Sequence, residues 1–164
     1  MSISPEKNLK SFAPISLAEM DGIKLMNRVD KKYLTDRKRL IEILNDAAAQ
    51  GYRIFENYGE RLHGYDSVYF DTPELRMFTE HRRGKTVRQK VRTRVYRESG
   101  LCFLEVKRKN NHGRTKKKRT EAPSDCFEDF RSNEKLGLWL KDHSDYRVEG
   151  IEPSLETSFN RITL

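Results

Sequence analysis

The sequence predicts an α+β fold in which most strands run antiparallel. Two observations carry this. The stretches VRQKVRTRVYR (87–97), LCFLEVKRK (101–109) and TKKKRTEA (115–122) each place cations at alternate positions, and only 98–100 and 110–113 separate them. Connections that short join antiparallel neighbours. Elsewhere apolar residues recur at helical spacing, above all Leu40, Ile43, Leu44 and Ala47.

Taken in order, residues 1–15 are polar and hold Pro5 and Pro14, so a flexible N-terminal segment is expected, followed by one domain over 16–164. Ser16 caps a short helix to about residue 26. NRVDKKYLT (27–35) reads as a strand with Arg28, Asp30 and Lys32 on one face. Thr35 then caps a helix over 36–50 that stops at Gly51. YRIFENY (52–58) is a second strand, Gly59-Glu60 a turn, and HGYDSVYFDT (63–72) a third strand. Pro73, after a Thr72 cap, opens a short helix that ends near Gly84. The three basic stretches follow as strands, the first over 85–97. Ser124 starts a helix to about Lys141, interrupted in pattern by Gly137, and IEPSLETSFNRITL supplies a loop and a last strand that runs to Leu164. The sum is about seven strands and three or four helices.

Charge narrows the function. Lys and Arg number 33 against 25 Asp and Glu, a net +8. Sixteen of these cations and only two acids, Glu98 and Glu105, lie between Arg82 and Arg119, so that segment carries +14 and the rest of the chain −6. A mildly acidic body with one intensely basic region calls for a polyanion: nucleic acid, an anionic membrane surface, nucleotide phosphates or inorganic polyphosphate. Cys102 and Cys126 form no CxxC pair, so reduced thiols and a cytoplasmic location are expected. No apolar run has the length of a membrane span. The four histidines lack metal-ligand spacing, and neither GxxxxGK[ST] nor GxGxxG occurs.

In 87–97, Arg88, Lys90, Arg92 and Arg94 share one face. Lys107 and Lys109 of the next strand are in phase with Glu105. The third strand offers either Lys117 with Arg119 or Lys116 with Lys118. Like charges opposite one another weaken strand pairing. Curled inward, such a face concentrates its field and holds a multiply charged anion through charge-assisted bonds. Arginine suits this because its planar fork matches phosphate oxygens.

The ordered set R-x-D-x-K-Y (28–33), SVYFDT (67–72), R-x-R (92–94), LEVKRK (104–109), K-x-R (117–119) and FNR (159–161) resembles the VTC domain, the vacuolar transporter chaperone type of polyphosphate polymerase, from about Asn27 to Leu164. That domain belongs to the triphosphate tunnel metalloenzyme superfamily, with the CYTH domain as its other branch. The resemblance implies an antiparallel eight-stranded barrel, a tunnel lined by Lys, Arg and Glu, and flanking helices. It implies binding of ATP, polyphosphate or pyrophosphate, with a divalent metal (Mn2+ or Mg2+) assisting transfer of the ATP terminal phosphate to a growing polyphosphate chain. By position, the phosphate-binding residues it implies are Lys32, Arg92, Arg94, Lys107, Lys117, Arg119 and Arg161. Lys107, Arg92 and Arg94 are its catalytic candidates. Arg92 and Arg94 would hold the non-reacting phosphates, while Lys107 and Lys117 would sit where charge develops. Phe159 stands where the family often has Tyr, which removes one hydroxyl contact.

The family's late strands, with another arginine, a metal-binding glutamate and a lysine cluster, find no counterpart. By the resemblance the sequence reads as the N-terminal two-thirds of such a domain. Glu105 is then the acid left to bind metal or, preferably, to pair with a tunnel cation. An unpaired edge near Leu164 would favour a homodimer or strand exchange. Two other readings stand beside this one. A CYTH-like triphosphatase is disfavoured because the initial ExExK signature is Arg28-x-Asp30-x-Lys32 here. A non-catalytic module for polyphosphate or RNA remains, though for RNA the basic stretch offers only Tyr96 and Phe103 as stacking platforms.

Overall fold

The computed structural model describes residues 6–21 and 31–164. They form two compact units, one of residues up to 63 with 161–164, the other of residues 64–160.

The first unit holds α1 (Glu6–Leu9), β1 (Ala13–Ile15), α2 (Leu17–Asp21), α3 (Arg37–Ala49) and β2 (Arg53–Phe55). Residues 6–15 hold α1 and β1. Leu9 and Phe12 are buried with Leu44 and Ile54, and β1 pairs in parallel with β2. Elements of three or four residues are too short to show a period. Ser16 does cap α2, in a reciprocal box with Glu19. The expected strand over 27–35 falls partly outside the described residues, and Lys31 to Thr35 have no regular secondary structure. The cap of α3 is Asp36, one residue beyond the expected Thr35; its carboxylate accepts the Arg39 N–H at 2.8 Å. On α3, Leu44 is buried while Ile43 stays exposed.

The second unit is built on an open five-stranded antiparallel sheet. Its strands are β3 (His63–Asp71), β4 (Arg88–Tyr96), β5 (Leu101–Lys109), β6 (Thr115–Ala122) and β7 (Glu152–Arg161). The order is β6-β5-β4-β3-β7, so β6 and β7 are edges and the sheet does not close into the expected barrel. β7 ends at Arg161, three residues before Leu164. α4 (Arg76–Arg82) follows β3, three residues later than Pro73 suggested. Thr72 Oγ1 does accept from Arg76, at 3.2 Å, but the buried Asp71 takes the N–H groups of Thr72, Met77 and Phe78 at 2.7–2.8 Å.

The helix expected over 124–141 is two pieces: a 3-10 turn, Ser124–Cys126, and α5 (Glu134–His143). Asn133 caps α5, and the Phe127 carbonyl between the pieces accepts the Thr93 hydroxyl of the sheet. These pieces cover one face of the sheet. Phe70, Val91, Leu104 and Val106 meet Phe130, Leu136, Leu140 and Ile151 there in one core. The opposite face carries the cations.

Candidate functional site: the basic face of the sheet

Cross-strand register decides which cations share this face. Arg92 lies opposite Glu105, and Glu105 opposite Arg119. One step along, Lys90 lies opposite Lys107, and Lys107 opposite Lys117. Beyond that Arg88 faces Lys109. The open register of Lys116–Arg119 therefore resolves as Lys117 with Arg119. The cause is at the strand's end, where Ala122 is 5 % exposed and packs into the core opposite Cys102. Side chains alternate, so an inward Ala122 turns Lys117 and Arg119 to the other face.

Glu105 makes the arrangement tolerable. It is 1 % exposed, and its Oε2 accepts Arg92 Nε at 2.7 Å and Nη2 at 2.6 Å. Lys117 Nζ stands 2.5 Å from Oε1. Burial would raise the Glu105 pKa, but Lys117 and Arg92 outweigh it and hold the carboxyl below the ordinary value. Arg92 also donates through Nη1 to the Tyr69 hydroxyl at 2.9 Å. Burial works against its charge too; Glu105 and Tyr69 prevail and raise its pKa.

Arg94 is supported differently. It is 8 % exposed, its Nε donates to Ser67 Oγ at 2.8 Å, and its guanidinium carbon lies 5.1 Å from the Tyr65 ring and 5.4 Å from Phe159. Phe159 stacks on Tyr65 and becomes a wall for the arginine. Burial and neighbouring Arg92 lower the Arg94 pKa. Arg119 lies over Phe103 at 4.6 Å. Lys107 is exposed and has no ion pair among the described residues. Desolvation, then Arg92 and Lys117, push its pKa below the ordinary lysine value. Tyr69, Lys90, Arg92, Glu105 and Lys107 line one small recess.

The sheet thus gathers Arg92, Arg94, Lys107, Lys117 and Arg119 on one face. Lys32 and Arg161, both exposed, belong to the other unit. Arg28 and Asp30 lie outside the described residues. Sequence reasoning missed the supports Ser67 and Tyr65, whose signal is their alternation along β3 in phase with the cations of β4. For metal the donor set does not fit. Among the described residues no group of three or more His, Cys, Asp or Glu converges, and both Glu105 oxygens already face cations.

A family model described as the VTC domain matches residues 27–163. Among solved structures, a candidate adenylate cyclase from Vibrio parahaemolyticus is similar at 13 % identity and a TM-score of 0.38, over 62 % of this chain and 45 % of that one. The chain thus spans under half of that protein's length. A comparison with curated proteins finds no match.

Proposed function

The chain belongs to the VTC domain family, and we propose that its basic face binds the phosphates of ATP, polyphosphate or pyrophosphate and serves phosphoryl transfer from ATP to a polyphosphate chain. One observation supports this above the others. Strand register sets Lys107 between Lys90 and Lys117 on the face that Arg92 shares, and a phosphate bound against them would offset the repulsion among these cations. Charge in phosphoryl transfer spreads over the phosphoryl oxygens, and fixed cations stabilise it without covalent chemistry. In this reading Lys107 and Lys117 contact the transferring phosphate. Arg92, fixed by Glu105 and Tyr69, orients it. Arg94 and Arg119 hold the phosphates behind it. The Mn2+ or Mg2+ expected of the family enters no step here. A homodimer or strand exchange at the β7 edge, and a cytoplasmic setting for two buried free thiols, belong to the same proposal. No helix among the described residues is long and apolar enough to cross a membrane.

Titration calorimetry with tripolyphosphate tests the site. Wild type is expected to bind with saturation, and Lys107→Ala to lose about tenfold or more in affinity, the order of one charge-assisted contact. Absence of binding, or a variant equal to wild type, would remove the proposal. Incubation with ATP then separates chain growth from phosphate release, which would mark a triphosphatase. A second reading, polyphosphate binding without transfer, is favoured by the lack of a converging carboxylate set among the described residues. RNA fits less well, because Tyr65, Tyr96 and Phe103 pack against one another and against arginines rather than stand free for bases.

A further inference from the structure

The two edges of the sheet differ in kind. On β6, Lys116, Lys117, Lys118 and Arg119 follow one another, all exposed. An unpaired strand edge is a template for another strand, and a row of cations along it repels one. β7 has no such guard. From Ser154 to Asn160 its one charged residue is Glu156. Leu155 and Phe159 are 57 % and 41 % exposed. Thr157 stands between them, and its hydroxyl oxygen is buried with no hydrogen-bond partner among the described residues. The three share the face on which Phe159 meets Tyr65 and Arg94.

We infer that the free edge of β7 pairs antiparallel with β7 of a second copy of this chain, about a two-fold axis through Thr157. Symmetry and side-chain chemistry select that register. Residues directly opposite in a sheet lie on the same face, so a two-fold axis perpendicular to the sheet passes through a residue and not between two. Through Glu156 it would set two carboxylates against each other, which weakens pairing. Through Leu155 or Ser158 it would set Thr157 opposite the partner's Pro153 or the partner's Phe159, and neither side chain can bond its hydroxyl. Through Thr157 it brings Leu155 opposite the partner's Phe159 at two symmetric places. Thr157 then meets its own copy, and the two hydroxyls bond each other, one donating and one accepting. Glu156 faces the partner's Ser158.

The partner's Leu155 thereby backs Phe159, the ring that walls Arg94. Both basic faces look to the same side of the joined sheet. The inference gives a register to the homodimer proposed above, and it stands or falls apart from phosphate binding.

Sedimentation of the full 164-residue chain tests the pairing. Wild type is expected to form a dimer in the micromolar range. Leu155→Lys should make it monomeric by placing a lysine on the edge. Leu138→Lys, at a side chain 56 % exposed on α5, should leave the dimer intact. Both side chains are more than half exposed, so the fold tolerates these changes. A monomer at every concentration overturns the inference, and so does a dimer that survives Leu155→Lys. A monomer in which every amide of 154–160 resists hydrogen exchange assigns the edge to another segment of the protein and overturns it as well. Cysteines read the register. Side chains directly opposite have Cβ atoms about 5 Å apart, near disulfide reach, whereas position 155 lies about 13 Å along the strand from its own copy. With oxidised glutathione, Thr157→Cys should cross-link and Leu155→Cys should not; any other pattern overturns the register. Cys102 and Cys126 are buried and do not compete. Tripolyphosphate titration beside these measurements separates the two proposals. Binding by a monomer overturns the pairing and spares the phosphate site, and a dimer that binds nothing does the reverse.

Discussion

At the scale of single residues, Glu105 has the largest structural consequence. Glu105→Gln removes the charge that holds Arg92 and Lys117 together. Breaking a buried pair costs about 3–5 kcal/mol; with Lys117 at 35 % exposure, about 2–3 kcal/mol is expected in urea unfolding. Tripolyphosphate should restore part of that loss by supplying another anion. A variant as stable as wild type would contradict the role assigned to Glu105. The pH dependence follows from the same carboxyl. Its folded pKa is depressed below 4.5, so its contribution is full above the unfolded value and disappears as pH falls through the folded one. Acid unfolding curves should therefore converge for wild type and Glu105→Gln below that range. That Glu105 pairs with a cation was legible in the sequence, since it is the one acid in phase with the cations of its strand; that the cation is Arg92 came from the strand register. The pinning of Arg94 between Tyr65 and Phe159 was not, because those rings come from strands remote in sequence.

At the scale of elements, β4 to β6 form as their alternation predicts, and β5 and β6 match their expected limits residue for residue. Their two turns are short and end on Gly100 and Gly113, both at positive φ, which fixes the hairpins locally. Two pieces stand in place of the expected long helix, the second starting where the Asn133 side chain accepts the Leu136 N–H. The register of β6 gives a direct test. Lys117→Ala should weaken tripolyphosphate binding about tenfold, whereas Lys118→Ala, on the opposite face, should change it less than twofold. Equal effects of the two would mean that β6 is shifted by one residue.

For the whole molecule the controlling quantity is the uneven charge, +14 between Arg82 and Arg119 against −6 elsewhere. One glutamate cannot neutralise such a face, so the folded state gains from any bound polyanion. Millimolar tripolyphosphate should raise the melting temperature by several degrees, and potassium chloride at equal ionic strength by much less. Similar shifts would indicate general screening instead of a site.

The amino-acid sequence alone determined the class of fold, the strands β3 to β7 and the identity of the basic residues. Each of these follows from local periodicity, turn residues and charge. Tertiary structure decided the rest. It selected Lys117 over Lys118 through the burial of Ala122, gave Arg92 and Arg94 different supports, buried Leu9 and Phe12 with Leu44 and left the sheet open. Those outcomes depend on contacts between residues far apart in the chain, and a period of two or 3.6 carries no information about which strand lies opposite which.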